Sequence, residues 1–190
     1  MALKEYIKIY DNILPIETVA SLTSFVSKVD FYKATIGSNK VENEQIRKVW
    51  NSGLTNTGKN MTSIKWSNFL RHVFQSYVQK YIIDTVSMNA HEISPGRVLE
   101  LDILKYDTGG HYVYHVDFFH QFPRQFSLIL LLNNDYEGGD LIFNNTKYND
   151  EYKIKTQPGR LIVWPSNFLF PHKVEEVTKG KRYSIVGWSH

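Results

Sequence analysis

Three residues of this sequence have the types and the spacing to hold a metal ion through nitrogen and oxygen: His115, Asp117 and His172. His115 and Asp117 stand two positions apart in the aromatic run His111-Tyr-Val-Tyr-His115-Val-Asp117-Phe118. The run reads as a strand, so both side chains leave the same face. The third candidate, in Phe170-Pro171-His172, comes from far along the chain, between two other expected strands, as a ligand reaching across the mouth of a barrel must. Two imidazoles and one carboxylate leave open positions on an octahedral iron, which suits Fe(II) working with oxygen and a co-substrate. A catalytic zinc accepts the same three ligands, so these residues alone leave the metal open. Arg182 opens the last expected strand, where a guanidinium can reach into the same cavity and grip a carboxylate through two hydrogen bonds. A dicarboxylic co-substrate follows naturally from it.

Such residues need a rigid frame, and the chain supplies signals for one. Tyr6-Ile-Lys-Ile-Tyr10 alternates as a short strand ended by Asp11-Asn12, and Pro15 then opens a helix with Val19, Leu22, Val26 and Val29 on one side. Residues 33 to 61 lose periodicity around Gly37, Gly53 and Gly58. They read either as a lid over the site or as a surface loop with one short strand near Ile46 to Trp50. Trp66, Phe69, Leu70, Val73, Phe74, Tyr77, Val78 and Tyr81 then repeat at helical spacing.

After Ser94-Pro-Gly96 the pattern changes to strands, about eight by their alternation and the Gly and Pro signals between them. Leu99, Leu101 and Ile103 alternate with Glu100, Asp102 and Leu104, and Ser127 to Leu132 is a continuous apolar run that fits a central strand buried on both faces. The fold class expected is mainly β with N-terminal helices, an α+β chain in which the helices brace one of two antiparallel sheets. One domain is expected over residues 1–190, with a strand core from about 95 to 190 and a helical and lid region before it.

Composition limits the functions that fit. The chain has 190 residues, a net charge of +3 and no cysteine, which excludes disulfides, thiolate ligands and a cysteine nucleophile. Its Lys and Arg residues are scattered, so a nucleic-acid partner is not argued for. No apolar run approaches the ~20 residues needed to cross a bilayer, and Met1-Ala-Leu-Lys-Glu-Tyr6 lacks a signal-peptide core. A cytoplasmic location with no membrane partner is the expectation.

Taken in order, Tyr106-Asp-Thr-Gly109, Tyr112-Val-Tyr-His115-Val-Asp117, Arg124-Gln-Phe-Ser127, Leu131-Leu-Asn133, Gly138-Gly-Asp-Leu-Ile-Phe143, Gln157-Pro-Gly159, His172, Gly180-Lys-Arg182 and Trp188 resemble the motifs of the Fe(II)- and 2-oxoglutarate-dependent dioxygenases, in particular the prolyl 4-hydroxylase-like branch. The resemblance implies a double-stranded β-helix, or jelly roll, with Fe(II) held by His115, Asp117 and His172. It also implies 2-oxoglutarate chelating the metal and pairing its far carboxylate with Arg182, and Tyr106 helping to bind that co-substrate. Ascorbate is a further candidate cofactor. The implied reaction consumes O2, decarboxylates 2-oxoglutarate to succinate and hydroxylates a carbon, with prolyl residues in a peptide or protein as the first substrate. A free amino acid or other small metabolite is the alternative, and a catalytically silent jelly roll that binds a partner is a reading from another class.

Three departures bear on the site. Leu131 stands where the family commonly has tyrosine, removing a hydroxyl that would meet the co-substrate carboxylate, so Ser184 or Tyr106 is expected to partner Arg182. Gly138-Gly-Asp-Leu replaces the family's Gly-Gly-Glu-Thr, a change expected to touch only turn and strand packing. His111 and His120 are extra imidazoles near the ligands. By strict alternation Tyr112 shares its face with neither candidate ligand, which leaves core packing and cavity lining equally open for it, and Trp188 is expected to pack rather than meet substrate.

Overall fold

The computed structural model describes residues 3–36, 41–54, 60–85, 95–118, 120–121, 123–145 and 150–190. Parts of the expected lid, 37–40 and 55–59, lie outside the described residues. In chain order the elements begin with a 3-10 turn, Leu3–Tyr6, then β1 Lys8–Tyr10, α1 Ile16–Val26, β2 Tyr32–Lys33, β3 Arg47–Lys48, β4 Trp50–Gly53 and α2 Met61–Thr85. Strands then take over: β5 Val98–Tyr106, β6 His111–His115, β7 Phe126–Leu131, β8 Glu137–Gly138 and β9 Leu141–Asn145. The series closes with β10 Asp150–Ile154, β11 Leu161–Pro165, β12 His172–Val174, β13 Val177–Lys179 and β14 Arg182–Ser189. From Val98 onward these are ten strands rather than about eight, because β8 and β13 form a short ribbon of their own that carries no periodic signal.

The large sheet runs β1-β11-β7-β14-β5-β4-β2 and the small one β10-β9-β12-β6-β3, all pairs being antiparallel. Strand β7 sits between β11 and β14, and its apolar run is buried on both faces as expected. Leu128 and Leu130 join the core under the helices with Leu22, Leu70, Phe74 and Val78. Ile129 and Leu131 join the core between the sheets with Leu141, Phe143, Trp164 and Val174. Burying each such side chain contributes about 1.5–3 kcal/mol, so a period-two strand with both faces apolar ties the three layers together.

Helix α2 starts five residues before the periodic stretch suggests. Asn60 Oδ1 accepts a hydrogen bond from the backbone N–H of Ser63 at 2.8 Å and so caps the first turn. The helix comes close to β14 at Gly187, where an added Cβ would lie 2.9 Å from Phe74 Cδ2.

Residues 41–54 contain two short strands, not one, and they join different sheets. Arg47 and Lys48 pair with β6, while Trp50 to Gly53 pair with β5. Their backbone groups complete both sheets on the same side of the molecule, which the local sequence, only two and four residues long in each strand, does not reveal.

Candidate metal centre and substrate cavity

His115 ends β6 and His172 begins β12, and the two are directly paired in the ladder. Asp117 lies just past the end of β6 and not within it, so the shared face expected of a strand is reached by the chain leaving the sheet. One ligand atom from each of the three residues lies within 4.8 Å of the others. His115 Nε2 is 3.8 Å from Asp117 Oδ1, and His172 Nε2 is 3.6 Å from Asp117 Oδ2.

The other imidazole nitrogens are engaged. His115 Nδ1 lies 2.9 Å from the carbonyl oxygen of Val113, and His172 Nδ1 lies 3.1 Å from that of Phe170. A carbonyl only accepts, so each Nδ1 carries the proton and each Nε2 presents a lone pair inward, the tautomer a metal requires. Tyr112 stacks on the His115 ring at 3.6 Å and 14°, and the Trp164 ring meets His172 edge-on at 5.0 Å. Both roles open to Tyr112 are realised: it packs against the core between the sheets and lines the cavity beside His115, on a ladder whose register shifts between His172 and Val174.

Burial pushes the His115 imidazole down to about 3, with His172 adding to the effect. Burial pulls the Asp117 carboxyl upward, but His172, His115, a hydrogen bond from Ser127 and Arg124 outweigh it and hold the group below its ordinary value. A neutral imidazole beside an ionised carboxylate is the donor set that binds Fe(II) without displacing protons.

Arg182 begins β14 opposite Tyr106 at the end of β5. Both are fully buried. Arg182 Nη1 donates to Ser184 Oγ at 3.1 Å, and the guanidinium carbon lies 5.0 Å from the Tyr106 ring centroid. Arg182 Nε and Nη2 are buried with no hydrogen-bond partner among the described residues. Unsatisfied cationic donors at such depth are costly, and a carboxylate placed there would satisfy both. Leu131 pairs with Ser184 across the β7–β14 ladder, so the hydroxyl missing at position 131 is replaced from the neighbouring strand. Of the two alternatives expected for Arg182, Ser184 is the hydrogen-bonding partner, while Tyr106 meets the guanidinium only with its ring. Gly139, at φ 66°, approaches so closely that an added Cβ would lie 3.1 Å from Arg182 Cδ.

A cavity of about 440 Å³ opens at the three ligands. Its wall includes Tyr106 but not Arg182, and Trp188, which packs against the core between the sheets as expected, also lines it. Thr35, Ile36, Arg47 and Asn51 contribute from the non-periodic segment, and Asp102 and Arg124 from the strand half. Of these, Asp102 was legible: it shares the inward face of β5 with Leu104 and Tyr106 at a period of two. Arg47 and Asn51 had no periodic signal to show them. His111 is turned elsewhere, with Nδ1 3.2 Å from Gly109 O and Nε2 3.3 Å from Gln45 O, and His120 is exposed.

Comparison with known proteins agrees with this geometry. The profile of the 2OG-Fe(II) oxygenase superfamily matches residues 101–190. A PKHD-type hydroxylase of Rippkaea orientalis is 34% identical over 118 residues, covering 58% of this chain and 51% of that protein. A PKHD-type hydroxylase of Crocosphaera subtropica is 29% identical over 189 residues, covering 95% of this chain and 76% of that protein. The chain spans about half the length of the first of these. In three dimensions the fold is similar to a prolyl hydroxylase from Trichoplax adhaerens in complex with a hypoxia inducible factor peptide fragment, at a TM-score of 0.73 and 20% identity over 97% of this chain and 83% of that one.

Proposed function

We propose, from the premise that residues 101–190 belong to the 2OG-Fe(II) oxygenase superfamily and that the chain is prolyl 4-hydroxylase-like, that this protein hydroxylates prolyl residues of a peptide or protein. The observation that carries the proposal is the convergence of His115, Asp117 and His172, with both Nδ1 atoms tied back to carbonyls and both Nε2 atoms free to bind. These three residues hold Fe(II). Bound with 2-oxoglutarate and O2, the iron supplies oxidation of a substrate C–H bond, with release of succinate and carbon dioxide.

Everything else is placement by the protein. Arg182, with Ser184 beside it, pairs with the far carboxylate of 2-oxoglutarate, and Tyr106 forms the wall over that guanidinium. Leu104, Trp164 and Val186 keep this part of the cavity apolar, which strengthens the ion pair at Arg182. A peptide substrate is supported by the prolyl hydroxylase neighbour and its peptide. Residues 1–190 act as one unit, a reading supported by the core that α1 and α2 share with the large sheet, and Thr35, Ile36, Arg47 and Asn51 act as a partial cover. Ascorbate is the candidate additive for sustained turnover. A cytoplasmic site of action is supported by the cysteine-free composition.

A free amino acid or other metabolite is the second substrate reading, favoured by the modest cavity of about 440 Å³ with residues of segment 33–61 on its wall. A silent binding protein is the third, and the complete ligand set argues against it. Purified protein given Fe(II), 2-oxoglutarate and proline-rich peptides is expected to form succinate and add one oxygen atom to peptide, and His172→Ala to abolish both. Unchanged succinate formation in His172→Ala overturns the dioxygenase reading. Oxygen gain by free amino acids alone overturns the peptide.

A further inference from the structure

Asp102 projects into the cavity from β5 without a charged partner. Its only hydrogen bond among the described residues comes from Asn51 Nδ2 at 3.2 Å. The two arginines on the same wall are engaged elsewhere. Arg47 Nη1 donates to Thr35 O at 2.9 Å with its guanidinium 4.8 Å from the Tyr112 centroid. Arg124 lies 3.7 Å over the Trp188 ring and 3.6 Å from Glu100.

Position decides which molecule Asp102 meets. Tyr106 is opposite Arg182 and Asp102 is opposite Val186 in the same ladder. Four residues of strand separate the two carboxylate-facing ends by roughly 13 Å at about 3.3 Å per residue. A five-carbon diacid anchored at Arg182 with its other end on the metal does not extend that far. Asp102 therefore faces the space left for the molecule being oxidised.

Resting on the oxygenase reading, we infer that Asp102 is a specificity residue that binds a protonated nitrogen of the substrate, either a basic side chain near the oxidised residue or a free α-amine. A carboxylate on a largely desolvated wall that forms no ion pair among the described residues gains more from a cation than from a neutral group of the same shape, although Arg47 and Arg124 act on it from a distance. Burial, reinforced by Glu100, raises the Asp102 carboxyl above its ordinary range in spite of Asn51, Arg47 and Arg124. The Asn51 contact is not needed to join the strands, because the β4–β5 ladder already runs from Trp50 to Gly53.

The experiment titrates end-capped proline peptides into protein loaded with Mn(II) and 2-oxoglutarate, so that binding is read without turnover. Lysine is scanned through the positions flanking proline, each peptide matched by its norleucine counterpart. A parallel arm compares free and acetylated N-termini, separating the two sources of the cation. In the wild type at least one cationic register is expected to bind about tenfold to hundredfold more tightly than its neutral match, the worth of one charge-assisted hydrogen bond. Asp102→Asn is expected to bind both members of that pair alike, and its retained 2-oxoglutarate binding reports an intact fold. The inference is overturned if no cationic register or free amine is favoured in the wild type, or if the preference survives in Asp102→Asn. Failure of prolyl hydroxylation appears separately, as peptides that bind the Mn(II) form but gain no oxygen when the protein is loaded instead with Fe(II) and given 2-oxoglutarate and O2.

Discussion

The imidazoles of His115 and His172 face each other across one rung of the β6–β12 ladder, with ring centroids 4.3 Å apart. Two strands thus set the distance between two of the three proposed metal donors, and only Asp117 depends on a loop. Replacing His172 with alanine is expected to weaken Mn(II) binding at least about tenfold to hundredfold, as loss of a ligand or its support does. Asp117→Ala is expected to do at least as much. Isothermal titration of the metal into each variant measures this, and near wild-type affinity in either would remove that residue from the ligand set.

Acid should destabilise the metal-free protein in a defined window. Imidazole in an unfolded chain titrates near 6.5, whereas folded His115 is held down to about 3 by burial and by His172. Between those values the unfolded chain binds a proton that the folded one refuses, so stability is full above the unfolded value and falls as pH drops. Asp117, also held low, extends the loss in the same direction at more acid pH. Thermal unfolding of the metal-free protein should show a falling Tm below about pH 6.5, with about 2–4 °C lost per kcal/mol in a chain of this size. His115→Leu should flatten the upper part of that slope. A slope unchanged in this variant would assign the acid sensitivity to other groups.

Co-substrate binding should divide unequally between Arg182 and Ser184. Removing the guanidinium in Arg182→Met is expected to cost 2-oxoglutarate affinity about a hundredfold or more, since a charged, two-point contact is lost. Ser184→Ala leaves the charge and removes only the neighbour bonded at 3.1 Å, so a loss of about tenfold or less is expected. Fluorescence titration of the metal-loaded protein reads both. Equal losses would mean that Ser184 touches the carboxylate as directly as Arg182 does.

The seat of α2 on the large sheet offers a test that leaves the metal ligands alone. An alanine methyl at position 187 would lie 2.8 Å from Leu101 Cδ2 and 2.9 Å from Phe74 Cδ2. Gly187→Ala is expected to destabilise by about 1–3 kcal/mol through overpacking. Phe74→Ala, which opens a cavity in the same core, is expected to cost about 3–5 kcal/mol. Chemical denaturation measures both, and a neutral Gly187→Ala would show that the helix shifts easily at this contact.

How much of this was legible in the sequence depended on periodicity. Leu128 to Leu132 and most of the stripe from Trp66 to Tyr81 announced their burial because a central strand and a packed helix repeat it many times, whereas Phe69 of that stripe is exposed. His115, Asp117, His172 and Arg182 were legible as a set through residue type and order. Arg47 and Asn51 were not, because β3 and β4 exist through pairing with β6 and β5, partners that lie far along the chain. Alternation could not decide between packing and cavity lining for Tyr112, which does both, because the ladder loses its regular register beside His172.

Strand β14 gives the site a fixed gauge. Arg182 stands at its first position and Trp188 near its last, a span of roughly 20 Å at about 3.3 Å per residue, and hydrogen-bonded neighbours on both sides prevent the strand from stretching. If the proposed roles of Arg182 and Asp102 hold, the co-substrate end and the substrate end are separable modules on one rigid rod. New substrates would then be accommodated by exchanging side chains around Asp102 and Trp188 while the carboxylate socket at Arg182 stays as it is, so that the same chemistry is retargeted without being rebuilt.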